Sequence, residues 1–161
     1  MGQQSVGRQR LRIDLGAGFL LGAIALVMAL GLMLGASGAI ASPAPPETIA
    51  VHLGTAAGDL RFEPSQLSFR AGQRYRLVLD NPSPERHYFT AKDFADGLWT
   101  QKVQAGDVEV KGAIHELELK PGAIAEWVFV PERPGVYELH CAIAGHAEAG
   151  MVGQIEIVAA G

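Results

Sequence analysis

Residues 137–158 read Tyr137-Glu-Leu-His-Cys141-Ala-Ile-Ala-Gly-His146-Ala-Glu-Ala-Gly-Met151-Val-Gly-Gln-Ile-Glu-Ile-Val. Apolar residues alternate at both ends of this stretch, which predicts two β-strands because successive side chains of a strand point to opposite faces. Between the strands stand a cysteine, a histidine and a methionine with the spacing C-x4-H-x4-M. The pattern therefore places three candidate metal ligands on one loop that joins two strands.

A second histidine completes a candidate metal site. His87 follows the loop of residues 81–86 and begins the run His-Tyr-Phe. Two imidazoles, a thiolate and a distant thioether are the ligand set of a blue-copper centre, and they suit both oxidation states of copper. We therefore predict one copper ion, cycling between Cu(I) and Cu(II), on His87, Cys141, His146 and Met151, and no catalytic residues. Zinc is the main chemical rival, but zinc sites use several Cys or His ligands rather than Met.

The count of cysteines and histidines excludes other metal centres. Cys141 is the only cysteine of the chain, so no intramolecular disulfide can form and a binuclear copper site with two Cys is excluded. A lone cysteine is usually a buried inert thiol, but the neighbouring His and Met favour a ligand here. A trinuclear copper cluster would need more histidines than the three that remain, His52, His115 and His140.

Upstream of this loop the sequence also predicts short strands. Apolar residues alternate within residues 48–53, 74–79, 114–119, 124–130, 136–140 and 154–158, and turn signals such as Asn81-Pro82 and Pro121-Gly122 separate these runs. A helix is expected only as a short piece within residues 91–99. Six or more short strands predict an all-β fold, a Greek-key β-sandwich that spans residues 48–161.

Residues 1–41 have a different composition. Twenty uncharged residues run from Leu15 to Leu34, about the length that crosses a bilayer, and three arginines precede them. By the positive-inside rule the N-terminus stays cytoplasmic. We predict a transmembrane helix in residues 15–34, or a signal peptide cleaved after Ala41. Both interpretations place the domain outside the cytoplasm, on the periplasmic side, and residues 42–47 (SPAPPE) form a Pro-rich tether.

The quoted segment from Tyr137 to Val158 resembles the C-terminal signature of cupredoxins, with a spacing similar to that of auracyanin and bacterial plastocyanin-like proteins. Residues 62–81 resemble the strand pair that precedes the first histidine ligand in that family, so the resemblance covers about residues 48–158. It implies a cupredoxin-like sandwich in which the four candidate ligands hold type 1 copper and Asn81 braces the ligand loop. The span from Lys92 to Lys111 is longer than in the smallest cupredoxins, and the sequence gives it no role.

The ligand set predicts a type 1 copper protein that carries single electrons between redox partners outside the cytoplasmic membrane. By the resemblance, membrane-bound or soluble redox proteins would dock at the small apolar residues around His146. The alternative is a copper-binding protein for storage, delivery or resistance, although Met151 is the only one of four methionines outside the N-terminal segment. Residues 47–161 hold ten basic and sixteen acidic residues, so they give no basic face for nucleic acid.

Overall fold

The computed structural model describes residues 44–161. The predicted transmembrane or signal segment in residues 1–41 lies outside this range. Within residues 44–161 no helix is long and apolar enough to cross a membrane. The described part contains these strands and one short helix: β1 (Glu47–Leu53), β2 (Phe62–Glu63), β3 (Gln66–Arg70), β4 (Tyr75–Asp80), β5 (His87–Thr90), α1 (Lys92–Ala95), β6 (Leu98–Ala105), β7 (Val108–Val110), β8 (Glu116–Leu119), β9 (Ile124–Pro131), β10 (Gly135–His140) and β11 (Val152–Val158).

The strands form two sheets. The six-stranded sheet has the order β2-β1-β4-β9-β6-β7, and the five-stranded sheet has the order β3-β11-β10-β5-β8. Most neighbours are antiparallel, but β1 pairs with β4 and β3 pairs with β11 in parallel. The predicted all-β sandwich of the cupredoxin kind is confirmed.

All six strands predicted from alternation are present, with ends that differ by one or two residues. The expected short helix is α1. β1 begins at Glu47, the last residue of the predicted tether, because its backbone N–H donates to the carbonyl of Arg74 at 3.0 Å and the strand then pairs with β4.

Residues 92–111, for which no role could be predicted, contain α1 and the antiparallel hairpin of β6 and β7. The pairing of β6 with β9 shifts register between Thr100 and Lys102. This bulge breaks the period-two pattern, since an extra residue moves the following side chains to the other face. Alternation alone therefore does not reveal β6.

Aromatic side chains fill the space between the sheets. Phe69, Phe94, Trp127 and Phe129 are each at most 1 % exposed. Phe69 and Phe94 stack at 30°, and the other contacts between these rings are edge to face, as in Phe94 and Phe129, whose centroids lie 5.6 Å apart at 88°. The indole N–H of Trp127 donates to Thr100 Oγ1 at 3.1 Å, so the largest core residue leaves no polar atom unsatisfied.

A tyrosine holds the connection between β9 and β10, the strand that leads to Cys141. The hydroxyl of Tyr137 donates to the carbonyl of Arg133 at 2.6 Å. Gly97 and Gly135 lie against this ring, and a Cβ at either position would come within 3.2 Å of the hydroxyl oxygen. The tyrosine thus fixes the turn from which β10 runs to the metal-binding end of the sandwich.

Candidate metal centre

Three of the four predicted ligands meet at one end of the sandwich. His87 is the first residue of β5, Cys141 follows β10, and His146 lies in the loop before β11. The candidate ligand atoms of these three residues all lie within 4.8 Å of one another. The close approach follows from the five-stranded sheet, because β5 and β10 are neighbours in it.

Backbone hydrogen bonds close the loop that carries the other ligands. The N–H of Cys141 donates to the carbonyl of Met151 at 3.1 Å, and the N–H of Met151 donates to the carbonyl of His146 at 2.9 Å. Met151 is completely buried and Cys141 is 1 % exposed. The loop therefore holds the thioether residue beside the cysteine, with both side chains inside the protein.

The imidazole of His87 is buried, and neither ring nitrogen has a hydrogen-bond partner. One side of the ring packs on Gly54, where a Cβ would lie 2.8 Å from His87 Nε2. Burying a polar atom without a partner is costly, so such an atom in a native site suggests an absent ligand. The unpaired ring of His87 therefore has a nitrogen available for a metal ion, and it packs where residue 54 has no Cβ.

Burial lowers the pKa of His87 below its ordinary value, and the neighbouring His146 lowers it further, while Glu85 has a smaller opposite effect. The two imidazole rings have their centroids 5.2 Å apart. A lowered pKa keeps His87 neutral near pH 7, and neutral imidazole is the form that binds a metal.

Cys141 Sγ has two polar neighbours. The backbone N–H of Tyr88 donates to Sγ at 3.4 Å, and His146 Nδ1 lies 3.6 Å from it. The N–H of Tyr88 fixes the position of the sulfur, and metals bind a cysteine as its thiolate. A soft thiolate and a buried thioether beside two imidazoles match copper better than zinc or a hard cation.

Asn81 fastens the loop that precedes His87. Its Nδ2 donates to the carbonyls of Glu85 at 2.7 Å and Leu119 at 2.8 Å, and its Oδ1 accepts the N–H of Ser83 at 2.9 Å. The side chain is 1 % exposed and uses all its polar atoms. These bonds join residues 81–86 to the end of β8 and support the bracing role that the family resemblance implies.

His146 is the candidate ligand that reaches the surface. It is half-buried, whereas His87, Cys141 and Met151 are enclosed. Ala142, Ala144, Gly145 and Ala149 around it are exposed, and Ile143 is half-buried. The exposed residues of this loop are therefore mostly small and apolar, with Glu148 as the charged exception.

The remaining histidines lie elsewhere and have other neighbours. His52 Nδ1 is 2.7 Å from Asp80 Oδ1, and His115 Nε2 is 2.7 Å from Asp96 Oδ1. His140 lines a surface groove of about 190 Å³ with Lys92, Asp93 and Glu138. Among residues 44–161, His87, Cys141 and His146 form the one group of three or more His, Cys, Asp or Glu side chains placed to hold a metal ion.

Two contributors to the site were missed in the sequence. Gly54 lies against His87, and the backbone of Tyr88 donates to Cys141. A glycine after a predicted strand is an ordinary turn signal, and a backbone N–H has no sequence signature. Only the positive φ of 75° at Gly54 and its contact with the imidazole reveal its role.

The chain matches the family described as copper binding proteins, plastocyanin/azurin family, over residues 49–158. A copper-resistant cuproprotein, CopI of Rubrivivax gelatinosus, is 29 % identical over 105 residues, which are 61 % of this chain and 60 % of that protein. A plastocyanin of Synechococcus sp. is 28 % identical over 118 residues, which are 72 % of this chain and 77 % of that protein.

Among solved structures, reduced auracyanin from Roseiflexus castenholzii superposes with a TM-score of 0.51. The match covers 71 % of this chain and 99 % of that one, at 16 % identity. At this identity the likeness bears on the fold alone. The two-sheet architecture is thus shared with nearly the whole of that auracyanin chain.

Proposed function

Because the chain belongs to the plastocyanin/azurin family of copper-binding proteins, we propose that it holds one type 1 copper ion and carries single electrons between redox partners. The ligands are His87, Cys141, His146 and Met151. The family binds copper, and the donor set at the end of the sandwich fits it. Bound copper supplies the one-electron change between Cu(I) and Cu(II).

The observation that carries this proposal is the unequal exposure of the ligands. His87, Cys141 and Met151 are at most 1 % exposed, while the imidazole of His146 reaches the surface. Backbone hydrogen bonds hold Cys141 and Met151 in the loop, so a change of charge requires little movement there. The exposed imidazole gives a partner protein a short route to the metal.

A carrier needs a closed ligand set, whereas a metal enzyme needs an open position for its substrate. The site here offers four ligands and is covered on the side of His87 by Gly54. Two of the other histidines, His52 and His115, are engaged with Asp80 and Asp96. These features favour electron transfer over catalysis.

The proposed docking surface is the apolar area of Ala142, Ile143, Ala144 and Ala149 around His146. Membrane-bound or soluble redox proteins are the proposed partners, since an apolar area with a polar rim suits a transient contact. The proposed location is the periplasmic side of the cytoplasmic membrane, with residues 15–34 as anchor if they are not cleaved. This location rests on the sequence of the N-terminal segment.

Optical spectroscopy and voltammetry of the copper-loaded chain test the proposal. A carrier should show the intense visible band of thiolate-to-copper charge transfer and should cycle reversibly at an electrode. The Cu(I) form should retain its metal in the presence of a chromogenic Cu(I) chelator. Absence of the band, or an irreversible wave, would contradict electron transfer.

Copper storage, delivery or resistance is the second candidate, and the similarity to a copper-resistant cuproprotein favours it. A protein with that role should surrender its copper readily to the same chelator or to an apo-protein acceptor. Rapid loss of Cu(I) from a colourless protein would support this second function. Retention of copper together with reversible cycling would support the carrier.

A further inference from the structure

The strand β7 forms a free edge of the six-stranded sheet. Its two valines are unusually exposed for apolar residues, Val108 at 62 % and Val110 at 39 %. Glu109 between them and Lys111 after them are also exposed. An edge strand with exposed apolar side chains is a template for pairing with another chain.

The backbone groups on the outer side of β7 follow from the hairpin geometry. A two-residue turn, Gly106-Asp107, joins β6 to β7 and makes Ala105 and Val108 direct partners. The residues that flank such a turn form a hydrogen-bonded pair, and bonded and non-bonded pairs then alternate. The N–H and C=O groups of Glu109 therefore point away from β6, toward the free edge. Lys111 follows β7, and the same alternation carried one residue further directs its backbone groups to that side.

The charge order of this edge is complementary to itself. When a second copy of the strand runs antiparallel with Val110 opposite Val110, each Glu109 lies opposite Lys111 of the other copy. Glu109 and Lys111 are the residues whose backbone groups face the edge, so each such pair exchanges two hydrogen bonds. The two valines at the centre form a non-bonded pair, in which side chains come closest.

We propose that two copies of this chain associate through antiparallel pairing of their β7 strands about a twofold axis at Val110. The pairing joins the two six-stranded sheets into one continuous sheet. A second copy fits better than an unrelated strand. In the antiparallel pair of Glu-Val-Lys strands, the glutamate of each copy lies opposite the lysine of the other copy. A twofold interface also closes on itself and adds no further copies at this edge.

Ion pairing within one copy is consistent with this arrangement. Lys111 Nζ lies 2.6 Å from Glu109 Oε1 in the single chain. The hydrogen bond from Lys111 lowers the pKa of Glu109, so this carboxylate is charged at neutral pH. Both side chains lie on the same face of the strand, where each can contact its counterpart in the second copy.

The contact is small. Stable protein interfaces bury at least roughly 1,200 Å² in total, which two three-residue strands do not reach. The association should therefore be weak and reversible in dilute solution and should increase with concentration. None of the candidate copper ligands belongs to this edge, so the optical spectrum of bound copper serves as a fold control.

A disulfide at the twofold axis tests the proposal. In the purified, copper-loaded full chain, Val110→Cys should form a disulfide-linked dimer under mild oxidation, because non-bonded antiparallel partners have a suitable Cα separation. Val136→Cys on β10 of the other sheet is the matched control, since Val136 is 61 % exposed. The same oxidation of the parent chain, whose only cysteine is Cys141, measures any dimer that Cys141 itself forms. Equal dimer formation by the two cysteine variants would overturn the proposal.

Charge reversal in the Val110→Cys background provides the second test. Glu109→Lys and Lys111→Glu should each slow dimer formation about tenfold, because two opposite-charge contacts become like-charge contacts. A mixture of these two variants should recover the lost rate and yield the mixed dimer selectively. A mixture no faster than either variant alone would refute self-pairing.

Discussion

The imidazole of His87 is enclosed on all sides, yet neither nitrogen has a hydrogen-bond partner. At the scale of single residues, this unpaired group and the nearby thiol mark the candidate metal centre. The four candidate ligands have different exposures and different chemistry, so substitutions at the site should have distinct effects.

Cys141→Ser should abolish the visible charge-transfer band of the copper-loaded protein, because the band requires the thiolate. Met151→Leu should retain the band and raise the reduction potential, since the axial thioether tunes the copper centre. Absorption spectra and voltammetry of both variants provide the measurement. A band that survives Cys141→Ser, or a potential that does not move in Met151→Leu, would mean that the ligand assignment is wrong.

Gly54→Ala should lower copper affinity by about 10- to 100-fold, because the new methyl group would lie 2.8 Å from His87 Nε2 and displace the ring. Gly58→Ala is the matched control. Both glycines have positive φ, 75° and 88°, but a Cβ at Gly58 would meet no atom within 4 Å. Competition with a copper chelator measures the affinities. Equal losses in the two variants would show that backbone strain, and not contact with His87, is responsible.

At the scale of elements, the connections between strands place the ligands. Tyr137 ties β10 back to the turn after β9, and Asn81 ties the loop before β5 to the end of β8. The short helix α1 is joined to the segment before β8 in the same way, through Asp96 and His115. These links hold the ends of strands that are far apart in the chain.

Tyr137→Phe should lower the free energy of unfolding by about 1 kcal/mol, because the hydroxyl donates to the carbonyl of Arg133. The copper spectrum should not change. Tyr88→Phe is the comparison, since its hydroxyl donates to the exposed carboxylate of Glu118 and its loss should cost less. Denaturant titrations of both variants measure the difference. If Tyr137→Phe loses less free energy of unfolding than Tyr88→Phe, the hydroxyl of Tyr137 does not stabilise the turn.

The pair of Asp96 and His115 should make stability depend on pH. The hydrogen bond from His115 lowers the pKa of Asp96, and Lys92 contributes further. A carboxyl with a lowered pKa stabilises the fold above its unfolded value, and this stabilisation is lost as pH falls through the lowered pKa. The free energy of unfolding of the metal-free chain can be measured as the pH is lowered. Below about pH 4, it should therefore fall less steeply in Asp96→Asn than in the parent. If the free energies of unfolding of the variant and the parent fall equally with pH, the pair of Asp96 and His115 does not cause the pH dependence.

At the scale of the whole molecule, residues 44–161 contain all the strands of both sheets and all four candidate ligands. β1 lies between β2 and β4 in the six-stranded sheet, so the described unit starts with a strand that has neighbours on both sides. The metal centre and the free β7 edge are separate surfaces of this unit. We propose that a redox partner docks at the first and a second copy of the chain at the second.

A fragment of residues 44–161 should fold and bind one copper ion with the spectrum of the full chain, because it contains both described sheets and all four candidate ligands. A fragment that starts at residue 54 should fail to fold, since it lacks β1 and leaves Val51 and Leu53 out of the core. Circular dichroism and copper stoichiometry measure both. Binding well above one equivalent, or none, by the longer fragment would refute a single site.

Much of the fold could be predicted because its strands show local alternation. The runs in residues 124–130 and 154–158 became β9 and β11, and the turn signals separated them correctly. The hairpin of β6 and β7 escaped prediction, because a bulge interrupts the alternation in β6 and β7 has no buried face. A strand without a buried face has no apolar period to detect.

The sequence by itself determined the composition of the ligand loop, since Cys141, His146 and Met151 lie within eleven residues and backbone hydrogen bonds bring them together locally. It also determined the sandwich class, through period-two alternation. Only the tertiary structure decided how His87 reaches this loop, because that contact requires β5 and β10 to be neighbours in one sheet. The packing of Gly54 on the imidazole and the free edge of β7 likewise depend on which strands pair, a choice made by long-range burial and not by local pattern.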